Sequence, residues 1–263
     1  MKNSIWRVGV LVQRHVMMLG RSWARLIEIV YMPTISIFQW IFLKNYFSSL
    51  GMKEVGQVLL LSWLMWELIF RSKQGTVMSL FEDMWSRSLG QIFTTPITHF
   101  ELLAACYIVG FIRAALGLSL AVVVIIVTND FNIISSDFTY VFFIMLGLAI
   151  SGSLSLITSG FVIRWGIRAE NLAWAFMATL APLSGVLNPV TALPAWLQHI
   201  SYLLPTTYLF ECLRSLISHD NVDEGLMVRA CGMTLLWLVL GMVIYSAMFK
   251  VSRESGNLVK GAE

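Results

Sequence analysis

The sequence predicts a single all-α membrane domain over residues 1–263, with six transmembrane helices. Of the 263 residues, 57% are hydrophobic and only 13% are charged, whereas soluble domains carry about 25% charged residues. Apolar segments long enough to cross a bilayer, which takes about 20 residues, recur along the chain. Lys and Arg collect in alternate connections between these segments, as expected of a polytopic membrane protein.

The N-terminal segment, residues 1–22, is predicted to be an interfacial amphipathic helix rather than a crossing. A helix advances almost two turns in seven residues, so basic side chains seven apart form one stripe: Arg7, Arg14 and Arg21. Apolar residues with helical spacing predict the opposite face: Ile5, Val8, Val12, Val16 and Leu19. Such a helix lies in the membrane surface or packs against a partner, and the two are compatible.

Five of the six crossings follow directly from hydrophobic length. They are predicted at residues 26–47, 55–77, 102–128, 140–163 and 227–249. Pro33 predicts a kink in the first of them because proline removes a helical hydrogen bond.

The remaining crossing belongs to a proline-rich stretch, residues 171–218. Its apolar part is too long for one crossing and too short for two with a turn. We therefore predict a fifth helix at 172–187, a break at Asn188-Pro189, and a re-entrant outer segment at 188–205. Broken backbone at membrane depth is tolerated where it lines a cavity or is covered by protein. This predicts an outer gate formed by Pro189, Pro194, Trp196 and Pro205. A kinked loop without a gating role is the alternative.

Orientation follows from the positive-inside rule. One side is rich in basic residues: Lys2, Arg7, Arg14, Arg21, Arg25, Arg71, Lys73, Arg87, Arg164, Arg168, Lys250, Arg253 and Lys260. The other side has fewer: Lys44, Lys53, Arg214 and Arg229. Acidic residues are placed on that poorer side: Asp130, Asp137, Asp220, Asp223 and Glu224. Both termini are therefore expected in the cytoplasm, with the protein in the inner membrane.

The connection at 82–95 is amphipathic, too polar to cross, and ended by Pro96. We expect a short exposed helix whose apolar side needs a partner: Trp85, Leu89, Ile92 and Phe93. The segment continues through Thr94-Thr95-Pro96 to Glu101-Leu102-Leu103, which opens the third crossing. A second pattern spans Pro182-Leu-Ser-Gly-Val-Leu-Asn-Pro189, Leu193-Pro194-Ala-Trp196-Leu197, Leu204-Pro205-Thr-Thr and Leu213-Arg214.

These two patterns, in this order, resemble the ABC-2 family of ABC-transporter permeases over nearly the whole chain. The resemblance implies the transmembrane subunit of an exporter that pairs with a second permease subunit and with a cytoplasmic ATP-binding subunit. ATP and Mg would be bound by that partner, and no cofactor by this chain. The coupling residues implied are Glu82, Trp85, Arg87, Leu89, Ile92 and Thr95. The sequence agrees in lacking Gly-x4-Gly-Lys-[Ser/Thr], the motif that cradles nucleotide phosphates.

Three ionisable residues lie inside apolar segments, where they are costly and face a cavity or a partner. They are Glu28, Glu67 and Arg113. Glu67 is spaced to pair with Arg71 one turn later. Glu28 and Arg113 are near the same side of the membrane, where mutual pairing or snorkelling accounts for them. The substrate is not readable, and a lipid-linked, glycan or drug-like molecule fits the resemblance.

Small residues every fourth position mark two crossings: Gly110, Ala114, Gly117, Ala121, Gly147, Ser151, Ser155 and Ser159. They let helices approach closely, either between subunits or within one bundle, and we favour the latter.

Cys212 and Cys231 share the outer side, where we favour free thiols over a disulfide.

Other classes of function fit the composition less well. An intramembrane serine protease would need a base beside a serine such as Ser153, but the four histidines all fall outside the crossings: His15, His99, His199 and His219. No His/Asp/Glu cluster has metal-ligand spacing in the sequence, and no nucleic-acid partner is indicated. A non-transporting assembly factor is the third alternative.

Overall fold

The computed structural model describes residues 2–21, 23–128, 138–219 and 223–255. Within these residues the chain is all helical. The helices are α1 (Lys2–Gly20), α2 (Trp23–Ser49), α3 (Lys53–Trp85), α4 (Leu89–Ile92), α5 (His99–Thr128), α6 (Phe138–Trp165), α7 (Glu170–Leu183), α8 (Ala195–Ser201), α9 (Pro205–His219) and α10 (Glu224–Glu254). Asp130, Asp137, Asp220 and the C-terminal residues 256–263 lie outside the described part.

Four segments are long and apolar enough to cross a membrane: Arg25–Ser49, His99–Val127, Thr139–Leu183 and Glu224–Glu254. They contain the predicted crossings at 26–47, 140–163 and 227–249, and nearly all of the one at 102–128. The predicted second crossing lies within α3, which is not among the four. Polar and charged residues such as Glu67 and Arg71 interrupt its apolar sequence, and many of its side chains are buried among the other helices.

Helix α3 is the centre of the bundle, and α2 and α5 run antiparallel to it. Lys44 at the end of α2 lies against Gly56 at the start of α3. Near the start of α5, Leu102 packs in one apolar cluster with Phe81, which is near the end of α3. Near the end of α5, Ile125 packs in another cluster with residues from the first half of α3. The first and third predicted crossings therefore run in the same direction.

The remaining long helices continue this alternation. Gly147 of α6 lies against Ile69, and Val162 packs with Val77, so α6 runs parallel to α3. Helix α7 reverses direction after a 3-10 turn at Gly166–Ala169, where Gly166 has a φ of +64° that suits glycine. The rings of Trp174 and Phe70 are 6.0 Å apart at the start of α7.

Helix α10 then returns alongside α6. The carbonyl of Ser153 lies against Gly241, and the Ser252 hydroxyl donates to the carbonyl of Ile163 at 2.9 Å. The six helices α2, α3, α5, α6, α7 and α10 thus alternate in direction. We call the end of the bundle holding residues 23–25 and 85–99 the near end, and the end holding 49–53 and 183–205 the far end.

The predicted fifth helix is shorter than expected, ending at Leu183 instead of residue 187. Its 14 residues span about 21 Å, less than the roughly 30 Å of a bilayer's hydrocarbon core. Pro182 is tolerated in its last turn. Beyond it the backbone turns at Gly185, whose φ is +69°, because a left-handed conformation ends helices readily at glycine.

Helix α1 is present as predicted, and much of its predicted apolar face packs against the protein: Leu19 is buried, and Val8 and Val12 pack on the core. The residues that face the protein are Leu11, His15 and Leu19, all buried. Ile5 is 74% exposed and Val16 is 40% exposed, so part of the predicted apolar face points outward. Two arginines of the basic stripe, Arg7 and Arg14, also face the bundle, where they pair with Glu101 on α5 and Asp83 on α3.

The small residues act within the bundle, as favoured from the sequence. A side chain on Gly110 would meet backbone atoms of α3 at 2.5 Å, and one on Gly117 would meet the carbonyl of Ile29 on α2 at 2.6 Å. Ser151, Ser155 and Ser159 are buried. The three cysteines are free, with Cys212 buried and Cys231 exposed, so the preference for free thiols is also confirmed.

Candidate functional site

Two adjacent carboxylates in the last turn of α3 form the centre of the candidate site. Glu82 is 4% exposed and Asp83 is fully buried. The prediction that Glu82 begins an exposed segment is therefore wrong, because α3 continues through Trp85 inside the bundle. A buried carboxylate is costly unless it is paired and hydrogen-bonded, and both residues are paired with basic side chains from other helices.

Glu82 connects three helices through two arginines. Its Oε1 accepts from Nη1 of Arg25 on α2 at 3.0 Å, and its Oε2 accepts from Nη2 of Arg113 on α5 at 2.8 Å. Arg113 is itself 7% exposed. Of the two explanations expected for Glu28 and Arg113, mutual pairing is therefore wrong: Glu28 is exposed, and the arginine reaches across to α3 instead.

Asp83 connects α3 to the N-terminal helix. One of its carboxylate oxygens, Oδ1, is paired with Arg14 and accepts from the Ser88 hydroxyl at 3.2 Å. The other, Oδ2, faces Nε2 of His15 at 3.3 Å. Burial lowers the pKa of His15 below its ordinary value and also lowers that of Arg14. We call Arg14, His15, Arg25, Glu82, Asp83 and Arg113 the near-end ion-pair network.

The connection after α3 is a broken segment and not one helix over 82–95. Arg87 has a φ of +53°, outside the helical region, and the Ser88 amide donates to the Asp83 carbonyl at 3.0 Å. Helix α4 is then a single turn, Leu89–Ile92. Arg7 of α1 donates to the carbonyl of Pro96, which holds the end of the connection against α1.

The predicted apolar ridge of this connection is largely covered by the chain itself. Leu89 is 4% exposed and Ile92 is 6% exposed, both within a cluster that includes Leu11. The exposed residues are instead Trp85, Arg87, Gln91, Thr94 and Thr95. Trp85 is 43% exposed and stacks on Phe81, with ring centroids 5.8 Å apart. A partner would therefore contact a mixed polar and aromatic surface.

A cavity of about 130 Å³ lies beside the network, between α2, α3 and α5. Its polar lining includes Arg25, Glu28, Arg71, Gln74, Glu82 and Arg113, and its apolar lining includes Leu19, Ile29, Met78 and Trp85. Charged groups beside apolar ones suit a molecule with a polar head and an apolar body.

Glu67 pairs with Arg71, as the spacing predicted. Oε2 of Glu67 accepts from Nε of Arg71 at 2.9 Å, and the pair lies on one face of α3. Lys73, two residues further on, is 3% exposed and donates from Nζ to the carbonyl of Ala173 at the start of α7. These polar contacts explain how α3 tolerates charged residues within the bundle.

The proline-rich segment at the far end is broken into short helices. Pro189 and Pro194 precede a 3-10 turn and α8, and Pro205 opens α9. Trp196 is 66% exposed. Oε1 of Glu211 on α9, which sequence reasoning missed, accepts from the Val190 amide at 3.0 Å and pairs with Arg214 at 2.8 Å. Nη2 of Arg214 donates in turn to the Gly185 carbonyl at 2.9 Å.

Sequence reasoning identified Glu82 and Arg113 but did not connect them, and it missed Asp83, Arg14, His15 and Arg25 as partners. Two features of the sequence could have indicated these contacts. One is the pair of adjacent acids, Glu82 and Asp83, near the end of a crossing, and the other is the set of arginines predicted at the same side of the membrane. Local spacing cannot show that these groups meet, because the partners are between 31 and 69 residues apart.

The sequence matches no protein-family model and no curated protein. Over the residues that the structure describes, the fold and composition define a class: an all-helical membrane protein with four segments long and apolar enough to cross a bilayer. Any more specific function depends on the geometry of the near end and the far end.

Proposed function

We propose that this chain is the transmembrane permease subunit of an ATP-driven exporter, with six crossings formed by α2, α3, α5, α6, α7 and α10. The observation that carries the proposal is the near end, where the 85–95 connection is tied to four helices and presents an exposed surface. The near end would be cytoplasmic, with both termini, and the membrane would be the inner membrane. The resemblance to ABC-2 permeases supports the same assignment.

The near-end ion-pair network supports a coupling role. Asp83 ties α3 to α1, and Glu82 ties α3 to α2 and α5. Because these groups are buried and charged, moving the end of α3 moves all four helices together. An ATP-binding subunit pressing on Trp85, Arg87, Gln91 and Thr95 would therefore act on the bundle as a unit.

The far end supports a gate. Phe210 of α9, the helix that follows the 188–205 segment, lies beside Trp66, with ring centroids 6.4 Å apart, so α9 reaches into the bundle along α3. The 188–205 segment itself is broken backbone, in which Val190 and Leu204 are buried. Such irregular backbone within a membrane domain suits the mouth of a path. We propose that residues 188–205 are re-entrant and that this segment opens to release substrate.

The resemblance supports a lipid-linked, glycan or drug-like substrate, and the near-end cavity of about 130 Å³ has room for its polar head but not for a whole drug-sized molecule. A second permease subunit would complete the path, and ATP with Mg would be bound by the cytoplasmic partner. The protease alternative gains no support, since the Ser153 hydroxyl is buried and donates to the Ile150 carbonyl of its own helix at 2.7 Å.

The test is purification of the full-length protein from its own membranes in a mild detergent, followed by measurement of Mg-dependent ATP hydrolysis. We expect an ATP-hydrolysing subunit to co-purify. The double variant Arg87→Glu with Gln91→Glu changes only the exposed surface of the connection and should lose that subunit while retaining its thermal transition. A charge placed at Leu89, as in Leu89→Asp, would not test partner binding, because Leu89 is buried and the charge would destabilise the near end itself.

A matched control is the double variant Lys250→Glu with Arg253→Glu, which places acidic charge on exposed residues of α10. It should keep the ATP-hydrolysing subunit. The proposal is wrong if the intact wild-type protein purifies without ATP hydrolysis, or if the variant in the connection keeps both partner and activity.

A further inference from the structure

Three side chains with metal-binding atoms meet beneath the near-end connection, each from a different helix. His15 is on α1, Asp83 on α3 and Cys106 on α5, and all three are fully buried. The ligand atoms, one from each residue, lie within 4.8 Å of one another. Two of these residues, His15 and Asp83, belong to the near-end ion-pair network, but none of the three lines the cavity described above.

The hydrogen bond of the other imidazole nitrogen fixes the state of His15. Nδ1 is 2.9 Å from the carbonyl of Leu11, and a carbonyl oxygen can only accept, so Nδ1 carries the hydrogen. In a neutral imidazole, Nε2 is then left with a lone pair. Nε2 makes no hydrogen bond, although it is buried.

Asp83 presents a second lone-pair atom to the same point. Its Oδ1 is occupied by Arg14 and the Ser88 hydroxyl, whereas its Oδ2 is buried without a hydrogen-bond partner. Oδ2 and the His15 Nε2 are 3.3 Å apart. Two electron-rich atoms facing each other away from water repel unless a proton or a metal cation lies between them.

The third side chain indicates which cation. Nitrogen, carboxylate oxygen and thiolate sulfur are the ligands of zinc, at about 2.0–2.2 Å for nitrogen and oxygen and about 2.3 Å for sulfur. Two such ligands on a tetrahedral ion lie roughly 3.4 Å apart, close to the separation of Nε2 and Oδ2. We propose that His15, Asp83 and Cys106 bind one zinc-class divalent cation that fastens α1 to α3 and α5.

The charges around the group are compatible with this ion. A thiol that coordinates a metal gives up its proton. Binding of a divalent cation with loss of the Cys106 proton therefore raises the net charge of the group by one and not by two. Asp83 bridges Arg14 and the ion through different oxygens, which keeps the two cations apart. Because Asp83 also holds Ser88, the ion would stabilise the turn at which the near-end connection begins. This inference does not rest on the transport function.

The experiment uses the full-length protein in detergent, stripped with a chelator and titrated with Zn²⁺ and Co²⁺. The background variant Cys212→Ser with Cys231→Ser leaves Cys106 as the remaining thiol of the three. We expect one Zn²⁺ per chain, a thiolate-to-cobalt absorption band with Co²⁺, and a raised thermal transition on zinc addition.

His15→Gln tests the site without disrupting it. The glutamine amide can donate a hydrogen bond to Asp83 where the metal would lie, and the side chain preserves the packing. We expect its zinc affinity, and that of Cys106→Ala, to fall by more than about 100-fold, exceeding the loss typical of outer-shell partners. The zinc-induced thermal shift should disappear in both variants.

X-ray absorption at the zinc edge on the background protein gives a measurement independent of any variant in the site. It should show one sulfur ligand together with nitrogen or oxygen ligands. The proposal is overturned if the protein binds no stoichiometric zinc, if sulfur is absent from the ligand shell, or if His15→Gln binds as tightly as the background protein.

Discussion

Nη2 of Arg113 on α5 donates to Oε2 of Glu82 on α3 at 2.8 Å, and neither side chain is more than 7% exposed. The other oxygen of Glu82 is held by Arg25 of α2. One carboxylate thus pairs with two arginines at the near end, the buried Arg113 and the more exposed Arg25. Removing it leaves a buried guanidinium uncompensated, which costs far more than losing a surface ion pair.

We expect Glu82→Gln to lower the free energy of unfolding by about 3–5 kcal/mol, the range for breaking a buried ion pair from one side. The measurement is the thermal or denaturant transition of the purified protein. Glu28→Gln is the matched control, since Glu28 lines the same cavity but is exposed. Its effect should stay within about 0.5 kcal/mol. Equal transitions for the two variants would contradict the role given to Glu82.

The close approach of α3 and α5 at Gly110 gives a second prediction. A Cβ there would lie 2.5 Å from the Ser72 carbonyl and 2.6 Å from the Thr76 amide, both backbone atoms that cannot move alone. Gly110→Ala should therefore destabilise the protein by about 1–3 kcal/mol through overpacking.

Gly232→Ala is the control for that substitution, because nothing lies within 4 Å of its added Cβ on the exposed side of α10. It should be neutral or stabilising by up to about 1 kcal/mol, since alanine is the better helix residue. A Gly110→Ala protein as stable as wild type would show that the two helices are further apart than described.

The far-end segment is held by Glu211, which leads to a third prediction. Glu211→Ala removes the acceptor of the Val190 amide and the partner of Arg214, so hydrogen exchange over residues 184–193 should accelerate. Glu211→Gln keeps an acceptor and should have a smaller effect. Thr179→Ala, whose hydroxyl bonds only within α7, should leave exchange unchanged. Unaltered exchange in Glu211→Ala would exclude this clamp.

Topology gives a fourth prediction, tested by labelling intact cells with a membrane-impermeant maleimide. In a Cys231→Ser background the remaining cysteines are buried, so added thiols report alone. Trp196→Cys, at a position that is 66% exposed, should label from outside. Gln91→Cys should label only after permeabilisation. Labelling of Gln91→Cys in intact cells would reverse the orientation of the near end.

Much of the helical framework follows from local sequence. The predicted crossings at 26–47, 102–128, 140–163 and 227–249 each lie within a helix of the structure, because apolar length is a property of contiguous residues. The Glu67–Arg71 pair was predicted for the same reason, since four-residue spacing places both on one helical face. The prolines at 189, 194 and 205 likewise predicted where helices are interrupted.

The partners of the charged residues were settled only by the tertiary structure. The sequence by itself determined a helical chain and its long apolar helices, whereas the end of α3 at Trp85 and the break that follows it were not predicted. Whether Arg14 faces solvent or Asp83, and whether Leu89 faces a partner or Leu11, depends on how α1 lies against α3 and α5. Buried carboxylates require cations wherever the fold can bring them, and this pairing, together with the apolar packing of Leu11 and Leu19, sets the orientation of α1.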